Sequence, residues 1–175
     1  VPDERLNKLA ELVHPGRIVP ATCDIVDIAG LVKGASQGEG LGNQFLGNIR
    51  ETDAIIHVLR CFDNDNIVHV DGSVDPVRDK EIIDTELQLK DLETVETRIP
   101  KVEKLAKVGG DKEAKALYNV LLKYKEVLSQ GKSARTVQLE DKDEQAAARN
   151  LFLLTAKPVL YVCNVDEASV LNGNQ

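Results

Sequence analysis

The 175-residue chain predicts an α/β fold: a mainly parallel sheet interrupted by an antiparallel helical hairpin. Three observations carry that expectation. Short β-branched runs alternate with helical patterns, and such alternation implies a mainly parallel sheet with helices on its faces. The stretch from about 79 to 153 breaks the alternation; it is charged and its apolar residues step by three or four. A glycine-rich segment also follows the first strand-like run directly, where ligands gather on open α/β sheets.

Taken in order, Leu6, Leu9 and Val13 mark a short helix that Pro15-Gly16 stops. A strand follows over 22–28, then a helix over 43–50 whose apolar side is Phe45, Leu46 and Ile49. A second strand covers 54–61. Leu92, Val95, Ile99, Val102 and Leu105 then define one long helix, and Ala114, Leu117, Leu121, Tyr124 and Leu128 define another. Gly109-Gly110-Asp111 breaks the two, which predicts a coiled-coil-like hairpin burying its seam against itself. Pro100 lacks a backbone donor and is expected to kink or interrupt the first of these helices. A third helix, about 141–153, leads to a last strand over 158–163. A plain helical layer packed on the sheet is the competing architecture.

Composition narrows the class. No apolar run approaches the roughly 20 residues of a membrane helix, and Val1-Pro2-Asp3-Glu4-Arg5 does not open like a signal peptide. Cys23, Cys61 and Cys163 are far apart and fit no metal spacing. Each lies in a strand-like run, so buried free thiols without a disulfide partner are expected, in a reducing, cytoplasmic setting. The net charge of −7 argues against a chain-wide electrostatic grip on nucleic acid but leaves room for a local basic face. Methionine is absent even from position 1, which predicts a piece of a longer reading frame.

The chemistry concentrates in Asp27-Ile28-Ala29-Gly30, a D-x-x-G. Four residues alone are weak evidence, since about one chance match is expected in a chain this long. Position adds weight, because Asp27 closes an apolar strand. In a P-loop hydrolase the aspartate there holds magnesium through water, and the glycine N–H meets the γ-phosphate. A Cβ at Gly30 would obstruct that approach. The competing reading is an Asp-Gly turn that merely closes a strand. Gly34, Gly38, Gly40 and Gly42 follow, a loop able to change shape with its ligand.

The run from Asp27 through Phe45-Leu46, continued by Asn48-Ile49-Arg50-Glu51-Thr52-Asp53 and the strand after it, resembles the Obg-type translation-factor NTPases. Within them it resembles the YchF subgroup of ribosome-binding ATPases, and the resemblance extends over nearly the whole chain. It implies a Ras-like P-loop domain carrying a coiled-coil insertion, with 1–78 and 155–175 as a partial nucleotide-binding domain and 79–154 as the inserted arm. It further implies ATP hydrolysis with Mg2+, and association with the large ribosomal subunit or the whole ribosome.

Leu31 stands where Ras-like enzymes often place a glutamine to orient the attacking water. A leucine cannot do that, so hydrolysis is slow or another group takes over. The nearest candidate is His69, in the polar stretch 64–72 after the second strand. The resemblance also points to His69, and a surface histidine without a role stands as the alternative. His57, inside a strand, reads as a packed residue. After the last strand comes Asn164-Val165-Asp166-Glu167. GTPases place N-K-x-D there, the aspartate clamping the guanine N1–H and amino group. Here Val165 replaces the lysine and Glu167 the aspartate, which resembles the N-x-x-E of the ATP-preferring subgroup. Asn48-Ile49-Arg50-Glu51 fits the same pattern but falls in a helix.

No G-x-x-x-x-G-K-[ST] occurs in the chain. The resemblance implies that this loop precedes Val1 and that a ubiquitin-like domain follows the last residue, so the chain as it stands is expected to bind ATP poorly. Three readings remain open. The parent is an ATPase; or it is a GTPase of the same family; or it is an interaction module whose arm, carrying Lys101, Lys104, Lys107, Lys112, Lys115, Lys123 and Lys125, reaches RNA.

Overall fold

The computed structural model describes residues 1–28, 41–69, 72–108 and 110–174, with backbone alone for 41–44. Its regular elements are α1 (Glu4–Val13), α2 (Leu41–Arg50), β1 (Ile55–Arg60), α3 (Pro76–Val108), α4 (Lys112–Ser129), α5 (Lys142–Arg149) and β2 (Val159–Asn164).

Helix starts are written in the local sequence. Asp75 precedes Pro76, and its carboxylate accepts from the backbone N–H groups of Val77 (3.1 Å) and Arg78 (3.0 Å). An aspartate cap followed by proline satisfies the first orphan donors of α3 and pre-sets its backbone. Asp111 caps α4 through Glu113 and Ala114, and Asp141 caps α5 through Asp143 and Glu144. Asp3 caps α1, which ends on His14 in the left-handed region at φ 44°.

The helical part forms as expected, with three differences. Pro100 lies inside α3 and does not end it; the helix runs 33 residues without a break. An interior proline costs about 3 kcal/mol, but Val95, Ile99 and Val102 on either side of it pack into the seam with α4. Leu105, near the hairpin tip, is exposed rather than in the seam. The third helix stops at Arg149, and Leu151, Leu153 and Leu154 are buried from irregular backbone and a 3-10 turn, Leu154–Ala156.

Two apolar clusters result. Val95, Val120, Leu121, Tyr124, Leu128, Ala134, Leu151 and Leu153 fill the arm, so its seam also takes in the returning chain. Leu46, Ile49, Leu87 and Leu154 fill the other, with Ile28, Phe45, Ile55 and Ile83 packed against them. Asp91 lies one helical turn from Leu87 and one from Val95, at the junction of the clusters, and is fully buried. Its carboxylate accepts from the Leu154 N–H (2.8 Å), the Thr155 N–H (2.7 Å) and the Thr155 hydroxyl (2.7 Å). Thr155 Oγ1 accepts in turn from the Ala134 N–H (3.0 Å). A single side chain therefore ties α3 to the entry of β2. Burial pushes its pKa up, against the lowering effect of those hydrogen bonds and of Arg50.

The sheet among the described residues is a parallel pair, β1 beside β2, in register from Ile55↔Val159 to Arg60↔Asn164. One face carries His57, whose ring lies 5.6 Å from that of Tyr161, with Lys80 of α3 5.3 Å from the Tyr161 ring. Burial lowers the His57 pKa, with Asp84 raising it and Lys80 lowering it. The opposite face exposes Ile56, Val58, Leu160 and Val162.

Two expectations are corrected here. The run 22–28 is not a strand: it has no regular structure, and Ile25 and Val26 are exposed. An extended run becomes a strand only when a neighbour supplies the ladder, and β1 and β2 pair with each other. The cysteines are not buried either: Cys23 and Cys163 are exposed and Cys61 is half-buried. No helix among the described residues is long and apolar enough to cross a membrane.

Candidate functional site

Because β1 and β2 run parallel, their carboxyl-terminal ends share one edge of the sheet. Cys61 N–H extends the ladder one residue past β1, donating to the Asn164 carbonyl at 2.8 Å. Asn174 reaches the same edge, donating from its side-chain amide to the Cys61 carbonyl. Beyond Asn164, Val165 is half-buried. Asp166 caps the 3-10 turn Glu167–Ser169, accepting from the Ser169 N–H at 2.8 Å. Those hydrogen bonds to Ser169 hold the Asp166 carboxyl below its ordinary pKa. Glu167 is exposed.

The loop after β1 is organised by Arg60. Its guanidinium donates to the carbonyls of Phe62 (3.1 Å), Ile67 (3.0 Å) and Asn64 (3.3 Å) and lies 4.9 Å from the Phe62 ring. Five fixed donors suit such a role better than an ammonium would. Arg78 braces the far end, donating to Ser73 O (2.7 Å) and Ser73 Oγ (3.1 Å). Gly72, at φ +78°, makes the turn between His69 and that anchor, its N–H donating to His69 O at 3.1 Å.

His69 is held within this frame. Its Nε2 lies 2.9 Å from Asp79 Oδ2, in the first turn of α3, and its side chain is only 17% exposed. Asp79 Oδ1 also accepts from the Arg78 guanidinium at 3.0 and 3.2 Å. The residue at the base of the arm and the histidine after β1 are thus in direct contact. Neither Arg60 nor Asp79 was singled out by sequence. An aspartate in a helix's first turn is a visible signal, but its partner ten residues upstream is not.

The remaining predicted residues divide. Asn164 and His69 fall on segments leaving the same sheet edge. Asp27 is exposed and does not close a strand; no hydrogen bond or ion pair joins it to His69 or Asn164 among the described residues. Its neighbour Ile28 packs against the cluster that also takes Ile55, the first residue of β1. Gly30, Leu31, Gly34, Gly38 and Gly40 lie outside the described residues. Gly42 belongs to the first turn of α2 rather than to the loop.

Comparison with known proteins places this geometry among relatives. The profile of a family described as 50S ribosome-binding GTPase matches residues 11–107. The protein named ribosome-binding ATPase YchF of Escherichia coli O157:H7 is 57% identical over 173 residues, covering 99% of this chain and 47% of the relative. Its namesake in Bacillus subtilis (strain 168) is 52% identical over 177 residues, covering 100% and 48%. A solved structure, that of the Schizosaccharomyces pombe YchF GTPase, matches with a TM-score of 0.73 at 41% identity, covering all of this chain and 48% of that one. The chain spans about half the length of the curated relatives it matches. The resemblance read from the motifs is borne out, and so is the P-loop GTPase-type fold.

Proposed function

The chain belongs to the 50S ribosome-binding GTPase family, and on that premise we propose that it is part of a ribosome-associated, translation-linked nucleotide hydrolase that prefers ATP to GTP. The observation that carries this reading is the shared sheet edge: the His69 loop and the 164–167 segment leave the ends of two paired parallel strands. The division into a nucleotide-binding part (1–78 with 155–175) and an inserted arm (79–154) belongs to the same proposal, as does a cytoplasmic setting.

Asn164, Val165 and Glu167 are assigned to the base. Val165 and Glu167 remove the lysine and aspartate of a guanine clamp, and adenine has no N1–H for such a clamp to hold. Asp27 is assigned to magnesium through water, Gly30 to the γ-phosphate, and the segment from Leu31 through Gly34, Gly38, Gly40 and Gly42 to the switch. The donor set fits that ion. Asp27 is exposed and free of any described ion pair, and no three His, Cys, Asp or Glu side chains converge as a metal cage among the described residues. Magnesium keeps several waters and takes ligands from phosphates, unlike ions held in all-protein cages. Bound with nucleotide, it supplies charge neutralisation at the phosphates.

Leu31 leaves the attacking water without its usual guide, and His69 is assigned to it. Asp79 is the positioning residue. A carboxylate accepting Nε2–H selects the neutral tautomer in which Nδ1 is the acceptor nitrogen. His69→Ala in the full-length protein is expected to lower kcat about 100-fold; an unchanged kcat would end this assignment. Asp79→Asn should lower kcat less and leave KM for nucleotide unchanged.

The GTPase reading remains the runner-up, because the matching family and the yeast relative are both described as GTPases. Competition between ATP and GTP for the full-length protein separates the two. No G-x-x-x-x-G-K-[ST] occurs within the chain, so by itself it should bind Mg-ATP weakly. Micromolar affinity by calorimetry would refute that. Sedimentation of the full-length protein with ribosomes, with and without 79–154, tests the arm as the ribosome-facing part.

A further inference from the structure

At the opposite edge of the sheet the chain builds a second concavity. Residues 50–53 lead into the amino-terminal end of β1 and Lys157 into that of β2, so this cavity of about 500 Å³ lies away from the edge that carries His69 and Asn164. Its wall carries four cations, Arg50, Arg98, Arg149 and Lys157, against two anions, Glu51 and Asp53. That local excess of positive charge stands out on a chain of net charge −7.

Two of the cations have structural duties. Lys157 donates to the carbonyls of Arg50 (3.1 Å) and Thr52 at the end of α2, and Arg50 donates to Thr94 Oγ1 at 2.9 Å. The guanidinium groups of Arg98 and Arg149 have no hydrogen bond or ion pair among the described residues. They come from different elements, α3 and α5, and line the same cavity.

Beside them stands Phe152, 59% exposed and at φ +50°. A side chain rarely adopts that backbone conformation, and glycine or asparagine would adopt it at less cost. The turn buries Leu151 and Leu153 to 1% and 2% exposure, and a glycine at 152 would serve those leucines as well. Packing therefore does not explain the ring. Strained non-glycine residues cluster at ligand sites, and an exposed aromatic beside unpaired arginines is the arrangement that grips single-stranded nucleic acid: the face stacks a base and the cations track phosphates.

We propose that this cavity is a binding site for a single-stranded RNA segment, with the Phe152 ring stacking a base and Arg98 and Arg149 meeting its phosphates. The site gives the ribosome-associated reading a defined RNA contact, and rests on that reading only for its biological setting. Its test does not require ribosomes.

The experiment is fluorescence anisotropy of a 5′-labelled single-stranded decauridylate titrated with the full chain at 50 and 200 mM salt. The Arg98→Gln/Arg149→Gln double variant should bind at least tenfold more weakly and flatten the log–log salt slope by about 1.4, two single-strand contacts' worth. Phe152→Gly should weaken binding roughly fivefold or more while leaving that slope intact. Because glycine suits φ +50°, this variant should melt no lower than the parent chain, which separates lost stacking from lost folding. The proposal is overturned if the parent chain does not bind, if either variant binds as tightly as the parent, or if an abasic strand or a duplex of equal length binds as tightly as decauridylate. Loss of ribosome sedimentation with decauridylate binding intact would count against the ribosome reading and leave this site standing.

Discussion

The arm and the sheet use the same kinds of apolar residue to opposite effect. In α3 and α4, Val95, Val120 and Leu121 are completely buried. In the strands and the run before them, Val58, Leu160 and Ile25 are 61%, 61% and 79% exposed. The difference is one of sequence distance. The partner of each seam residue is brought back by one turn of chain, so α4 can cover α3 without help from elsewhere. A strand instead needs a ladder beside it and a layer on each face, and those come from far along the sequence. The run 22–28 shows this directly, with strand-like composition and no strand.

Four substitutions sharpen or break that contrast. Leu121→Ala should have the largest effect, about 2–5 kcal/mol of unfolding free energy, because it opens a cavity in a seam with no solvent access. Urea denaturation of the chain measures it; a loss below about 1 kcal/mol would mean that the seam does not carry the arm's stability.

Asp91, where the two regions meet, comes next. Asp91→Ala strands two buried backbone donors and a hydroxyl, at roughly 1–3 kcal/mol for each group left unsatisfied. It also carries a pH signature. Its folded pKa is raised by burial, so between the ordinary aspartate value and the raised one the folded state binds more protons than the unfolded. Stability attributable to Asp91 therefore falls as pH rises through that window and is flat above it. Asp91→Asn should remove this slope in denaturation measured across mildly acidic pH.

Asp111→Ala, which removes a cap from one end of the hairpin, is expected to cost about 1 kcal/mol, read as a lowered thermal midpoint. Val58→Ala on the uncovered sheet face should fall within about 0.5 kcal/mol of the parent chain. A cost there like that of Leu121→Ala would show that the sheet face is covered after all.

Much of the fold was legible in advance because its signals are short. Asp111 and Asp141 act on N–H groups two and three residues away, and the apolar spacing of α3 and α4 repeats every turn. The motif resemblance, now matched by relatives at 52% and 57% identity, was likewise carried by contiguous runs. The site was less legible. His69 and Asn164 were read from their positions after strands. Arg60, which hangs the His69 loop, and Asp79, which holds the imidazole, act through contacts that no spacing rule anticipates. The cysteines misled because strand-like composition was equated with burial, and Pro100 because local backbone cost was weighed without the packing around it.

By itself, then, the sequence determined the helices, their caps, the hairpin, two of three strands and the family, all features settled within a few residues or by long contiguous motifs. Only the tertiary structure decided that Asp91 is a buried clamp reaching 63 and 64 residues along the chain, and that β1 faces β2 and not the run 22–28. It also decided that Phe152 is held outward beside two arginines with no ion-pair partner among the described residues. The reason is physical. Capping and periodicity are local free energies, whereas burial, ladder pairing and charge clustering depend on which distant segments arrive at the same place.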